Sequence, residues 1–211
     1  MEQTGIQPKV WVAWFAVLCI GLAILLTLAG SLLTPDANMV ASTISDVAAG
    51  PYDWVQDSGF YILSAGLCAL AYGMYHMHSQ CWHWLGAIAT LPLMAVAVTV
   101  MGYYQEYGDG DNESGEIHIY LVYIFDFSFM ALLLLSIPYL MTHNSWWRAL
   151  NLSWFCVWFG VAAYYFNMAT AYDGLVERAL GFAYLAWIFL LAWRVAIEGG
   201  SPWGKQAASC E

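Results

Sequence analysis

Between Val10 and Leu33 lie 24 consecutive residues without one charged side chain. A helix rises about 1.5 Å per residue, so this run reaches about 36 Å, beyond the roughly 30 Å of bilayer hydrocarbon. A cleavable signal sequence would carry an apolar core of about 7 to 15 residues ending at a small-residue cleavage site. The run therefore reads as a retained spanning helix. Five further apolar stretches follow, at 59–77, 84–104, 117–141, 149–170 and 178–197. Lipid admits only segments that satisfy their own backbone hydrogen bonds. The expected fold is thus all-α, an integral membrane bundle of six transmembrane helices forming one domain over 1–198, with a polar tail at 199–211. Composition agrees: 9% of residues are charged and 62% hydrophobic, against about 25% charged in soluble domains.

Cytoplasmic loops carry the excess of Lys and Arg. In the six-helix register, Lys9, Arg148, Arg194 and Lys205 share one side with both termini, and Arg178 stands alone on the other. This predicts a multi-pass inner-membrane protein with cytoplasmic N- and C-termini. The formal charge of -10 then belongs to the exterior loops, which hold Asp36, Asp46, Asp53, Asp57, Glu106, Asp109, Asp111, Glu113, Glu116, Asp173 and Glu177. No nucleic-acid partner is expected; membrane lipids and other membrane-protein subunits are. Cys19, Cys68 and Cys156 fall inside spans, and Cys81 and Cys210 on the cytoplasmic side, so no disulfide holds the exterior loops.

The long interval Ser42 to Phe60 joins the first two spans. It carries Asp46, Asp53 and Asp57, two glycines and a proline, a density that suggests an ordered cap on the bundle. Gln105 to Glu116 is a second acidic cap element. Three spans begin on that face: Asp57 precedes the second, His118 opens the fourth, and Glu177 and Arg178 open the sixth. Together they outline an outward-facing pocket, with Asp46 or Asp57 as base or metal ligand and His118 as acid, base or ligand. Arg178 is suited to clamp a phosphate or carboxylate. The plainer alternative has Arg178 pairing with Asp57 or Asp46, the carboxylates capping helix starts, and His118 bonding a loop carbonyl. Asp126 lies nine residues into the fourth span, about 13 Å from its exterior end. A carboxylate at that depth is costly and marks a function or a partner. Either Tyr123 or another helix bridges it to His118, or Asp126 is a protonated link to Asn167, Tyr164 or Tyr165.

The segments Ser45–Phe60 (SDVAAGPYDWVQDSGF), Glu116-Ile117-His118 and Gly174–Phe182 (GLVERALGF) resemble the multi-spanning bacterial and archaeal family known as domain of unknown function 998. The similarity runs from the first span to the sixth. It implies the fold and topology and imports no reaction.

Other chemistries fit poorly. Retinal attachment needs a lysine within a span, and the lysines are Lys9 and Lys205 alone. Dihaem cytochromes need histidine pairs at a common depth in facing helices. Seven-span zinc hydrolases need several histidines on one side, where His118 stands alone. His76, His78, His83, His143 and Cys81 lie near cytoplasmic turns without metal-site spacing. The acidic run from Asp109 places Ser114 and Tyr120 where a calcium loop wants glycine and glutamate. No metal and no cofactor is expected. The candidate ligand-binding residues are Asp46, Asp57, His118, Tyr123, Asp126, Glu177 and Arg178. They would hold a lipid headgroup or small amphiphile, or serve a subunit of a membrane complex. The alternative is a membrane enzyme acting on a lipid at the outer face, with His118, Asp57 and Glu177 as the catalytic candidates.

Overall fold

A computed structural model of the chain describes residues 8–35, 38–76, 82–104, 113–141, 145–165 and 170–198. The polar tail at 199–211, most of the Gln105 to Glu116 loop, and His78, Cys81, His143 and Asn167 lie outside the described residues. The described chain is helical throughout: α1 (Pro8–Leu33), α2 (Ile44–Ala48), α3 (Asp53–Tyr75), α4 (Trp82–Met101), α5 (Glu113–Met141), α6 (Ser145–Tyr165), a 3-10 turn (Thr170–Tyr172) and α7 (Asp173–Glu198).

Among the described residues, α1, α3, α4, α5 and α7 are long and apolar enough to cross a membrane. The chain is a membrane protein. Helix α6 has comparable length, 21 residues, but Arg148, Asn151 and two serines lower its hydropathy. It is the one predicted span that composition and length do not establish.

Helix α1 packs on α3 and α7, α3 on α4, α4 on α5, α5 on α6, and α6 more lightly on α7, closing a ring. The tightest seam has a cause in the sequence. Gly59, Gly66 and Gly73 recur every seventh residue of α3 and all face α1. A Cβ at Gly66 would stand 3.0 Å from the Cys19 Cβ, and one at Gly73 would lie 3.5 Å from that of Ala13. Small residues let helix backbones approach closely in lipid, where apolar surface alone supplies no preference between partners. Ile20, Leu67, Met74, Leu91, Met94, Phe129, Leu132 and Ile188 fill the interior with no exposure. Large apolar side chains such as Leu18, Leu32, Phe127 and Phe159 point outward instead, as lipid-facing residues do.

Helix starts differ from the hydropathy reading. Helix α3 begins at Asp53 and α7 at Asp173, so Asp57, Glu177 and Arg178 lie within the first two turns and do not precede their spans. Each of those helices has an aspartate in its first turn, where the helix dipole favours negative charge. Averaged hydropathy excludes such polar turns. Helix α5 also runs unbroken through Pro138 to Met141.

Helix α2 lies across one end of the bundle against α1, α3 and α7. This capped end contains the candidate site.

Candidate functional site

The cap is built locally first. Thr43 is the N-cap of α2: its hydroxyl accepts from the Asp46 N–H at 2.9 Å, and the Asp46 carboxylate accepts from the Thr43 N–H at 2.7 Å. This reciprocal capping box satisfies two of the amides a helix start leaves open. Asp46 is exposed and spent on this local task. Glu177 satisfies a third amide, accepting from the Ile44 N–H at 2.7 Å, and so ties α7 to the start of α2.

Arg178 fastens the chain leading into the cap. It is 5% exposed and donates to four oxygens, none of them a carboxylate: the Ser31 hydroxyl at 3.4 Å, the Met39 carbonyl at 3.3 Å, the Gly174 carbonyl at 3.0 Å, and the Ser42 carbonyl. The charges of Glu177 and Asp46 lie close enough to support the buried cation. The loop approaches α7 so closely here that Gly174 has no room for a side chain. A Cβ there would fall 2.1 Å from the Ser42 carbonyl oxygen. The backbone contact beside it, Leu175 N–H to the Val40 carbonyl, is 2.9 Å.

His118 is the third staple, 3% exposed. Its Nδ1 lies 3.0 Å from the Tyr104 carbonyl and its Nε2 lies 2.9 Å from the Ser45 hydroxyl. A carbonyl only accepts, so the hydrogen-bond network assigns the proton to Nδ1, and in the neutral ring Nε2 accepts from Ser45. Both nitrogens are engaged, and α5 is joined to α2 and to the chain after α4.

Beneath these staples lies a cavity of about 150 Å³. Every helix contributes to its wall. The larger part is apolar, from Ala23, Ile44, Leu63, Val98, Val122 and Leu180, and four aromatic residues join it: Phe60, Phe125, Trp158 and Tyr184. The polar groups that reach it are Thr27, Ser45, Gln56, His118, Asp126 and Glu177. Three of the wall residues carry buried polar atoms with no hydrogen-bond partner: Gln56 Oε1, Trp158 Nε1 and the Tyr184 hydroxyl. Gln56 is fully buried, and Tyr184 and Trp158 are 2% and 3% exposed. Among the described residues the only bond of the Gln56 amide is a long one to Thr27 Oγ1, 3.5 Å, so one of its ends lacks a partner there whichever way the amide is turned. Each such atom costs about 1–3 kcal/mol unless something else meets it.

The seven candidate residues separate by position. His118, Asp126 and Glu177 line the cavity; Asp46, Asp57, Tyr123 and Arg178 are not part of its wall. The pairing of Arg178 with Asp57 or Asp46 expected as the plainer alternative is replaced by bonds to carbonyls, because the loop backbone comes closer to the guanidinium than either side chain. Tyr164, one proposed partner of Asp126, is exposed at 64%, and Asp126 makes no hydrogen bond among the described residues. Gln56, Thr27, Trp158 and Tyr184 are wall residues that the sequence reading did not single out. Trp158 and Tyr184 were hidden among many interfacial aromatics. Gln56 carried a usable signal: it is an uncharged polar residue three positions before Gly59, on the face that α3 turns to α1. Among the described residues no three His, Cys, Asp or Glu side chains gather as a metal site.

A family model described as a protein of unknown function, DUF998, matches residues 17–194. No curated protein and no solved structure is similar to the chain. The matched region runs from the third turn of α1 to the last turns of α7 and takes in the whole cavity wall, and the chain belongs to the DUF998 family of membrane proteins.

Proposed function

We propose that this protein holds a small amphiphile in the cavity under α2, with the capped end on the exterior face of an inner membrane and both termini in the cytoplasm. The observation that carries the reading is the cavity itself: about 150 Å³ with a mainly apolar wall that includes Gln56, Trp158 and Tyr184, residues whose buried polar atoms lack partners. An apolar cavity of about this volume accepts a body the size of benzene, and a liquid-like water occupies about 30 Å³. The fitting ligand therefore has an apolar part of about six carbons and one hydrogen-bonding head. A diacyl lipid is too large to enter whole, so a lipid would enter by one short portion only.

The enzyme reading has weaker support. His118 has both nitrogens committed, Glu177 bonds the α2 amide and Arg178 bonds carbonyls. Of the catalytic candidates, His118 and Glu177 thus hold the cap in place. The test uses the full chain in lipid nanodiscs and six-carbon probes, namely hexanol, hexylammonium and hexanoate, with binding read by native mass spectrometry. At least one probe should bind at one per chain, and Ala23→Leu, which extends a wall residue into the space, should abolish it. Binding unchanged in Ala23→Leu, or no binding by any probe, would reject the reading.

A further inference from the structure

We infer that the cavity takes a cation, an alkylammonium group anchored on Asp126 among aromatic rings; this rests on the amphiphile reading above and specifies its charge. The wall contains two carboxylates, Asp126 and Glu177, and no lysine or arginine. Its one imidazole has both nitrogens engaged, Nδ1 with the Tyr104 carbonyl and Nε2 with the Ser45 hydroxyl, which leaves neither free to hold an anion. Arg178, the nearest candidate for binding an anion, is not part of the wall; its Nε and Nη1 donate to Ser31, Met39, Ser42 and Gly174, and its Nη2 is buried without a hydrogen-bond partner outside the residues that line the cavity. A phosphate or carboxylate head would meet these carboxylates with no lysine or arginine in the wall to bind it.

The two carboxylates are not equivalent. Glu177 accepts from the Ile44 amide, whereas Asp126 makes no hydrogen bond among the described residues. It sits eight residues below His118 on α5, about 12 Å deeper along the helix, inside a segment long and apolar enough to cross the membrane. An ionised carboxylate at such depth needs a partner, and the cavity it lines is where one can sit. Phe60, Phe125, Trp158 and Tyr184 contribute rings to the same wall. Aromatic surface around a cation is favourable, more so when water is excluded, and is the usual setting for quaternary and protonated amines. The Tyr184 oxygen adds a buried acceptor for an ammonium N–H. Trp158 Nε1–H, a donor, is left for a water or for a hydroxyl on the ligand.

The experiment compares hexylammonium, hexanol and hexanoate on the same nanodisc-embedded full chain, all at one pH. Hexylammonium is expected to bind at least tenfold more tightly than hexanol, with hexanoate weakest. Asp126→Asn, which keeps the shape and hydrogen-bonding capacity while removing the charge, should bring the hexylammonium-to-hexanol ratio to within twofold of one while hexanol still binds. Tyr184→Phe should reduce the ratio severalfold. Hexanol binding as well as or better than hexylammonium in the unaltered protein would overturn the charge assignment and leave the amphiphile reading standing, as would a preference that survives Asp126→Asn. Failure of all three probes would remove both. The comparison on the unaltered protein decides the matter even where a variant does not fold.

Discussion

Gly174→Ala is the sharpest test of how the cap is held. The added Cβ would stand 2.1 Å from the Ser42 carbonyl oxygen and 2.8 Å from Arg178 Nη1, where ordinary contact begins at 3.4 Å. Helix α7 is packed into the ring, so the loop must give way, and the Ser42 oxygen must retreat by about 1.3 Å. That movement draws it out of the guanidinium's reach. The same retreat stretches the Leu175 N–H to Val40 carbonyl contact from 2.9 Å to about 4.2 Å, past hydrogen-bond range. A bond to a charged donor contributes about 1.5–3 kcal/mol and a neutral backbone bond about 0.5–1.5. The cap therefore loses about 2–4.5 kcal/mol of local stability, which is a roughly 30- to 2,000-fold rise in opening. Hydrogen exchange over Val40–Ala49, in nanodiscs, reads this directly. Gly160→Ala is the control, since a Cβ there meets nothing within 4 Å. Exchange in Gly174→Ala within threefold of the unaltered protein would refute the argument that Arg178 and the close loop approach hold the cap.

Two further predictions concern the staples and the far end of the bundle. His118→Ala leaves the Ser45 hydroxyl and the Tyr104 carbonyl without their partner and should cost about 1–3 kcal/mol of unfolding stability; in a double-mutant cycle with Ser45→Ala the two changes should couple by about 0.5–1.5 kcal/mol, and strict additivity would show that the 2.9 Å contact contributes nothing. Asn151→Ala removes donations to the Leu133 carbonyl at 3.2 Å and the Ser136 hydroxyl at 2.9 Å, and the acceptor of the Trp187 N–H at 3.0 Å; at about 0.6 kcal/mol per interhelical bond in lipid, rising to about 1.7, the loss in reversible micelle unfolding should be about 2–4 kcal/mol, and a loss below 0.5 would discount the cluster.

Much of this architecture was legible because its cause is local. Long apolar runs require helices in lipid, and the Ser42 to Phe60 density of turn formers and carboxylates marks an ordered segment. Asp46 caps a helix start, as the plainer alternative had it. The site was legible only in outline. Glu177 and Arg178 are adjacent in the chain, yet one side chain reaches the cavity and the other the loop, since neighbours on a helix point about 100° apart. Whether an arginine faces a ligand or three carbonyls depends on how closely Ser42 passes Gly174, a distance no periodicity encodes. Gln56, Trp158 and Tyr184 matter because they lack partners, and the absence of a partner is a property of packing. Asp126 was visible from depth alone, because a carboxylate so far into an apolar run is conspicuous wherever its neighbours lie.

The status of α6 determines on which side the chain ends, and its hydropathy understates its capacity to cross. Its 21 residues extend about 31 Å, close to the hydrocarbon thickness. Asn151, the side-chain amide within the helix, is fully buried and bonded to α5 and α7. Lipid does not meet it. The side chains α6 turns outward include Leu152, Val157 and Phe159, which suit hydrocarbon, and Trp146 and Tyr164 near its ends, which suit the two interfaces. Arg148 lies one turn from the start, where a long side chain can extend to headgroups. With α6 crossing, the spans number six and the termini share a compartment; without it they number five and the termini are opposed. Reporter fusions at each terminus, one active only in the cytoplasm and one only outside it, distinguish the cases. Both ends should score as cytoplasmic, in keeping with Lys9, Arg148, Arg194 and Lys205 on that side, and opposed ends would show that a helix with its central asparagine turned inward can still fail to insert.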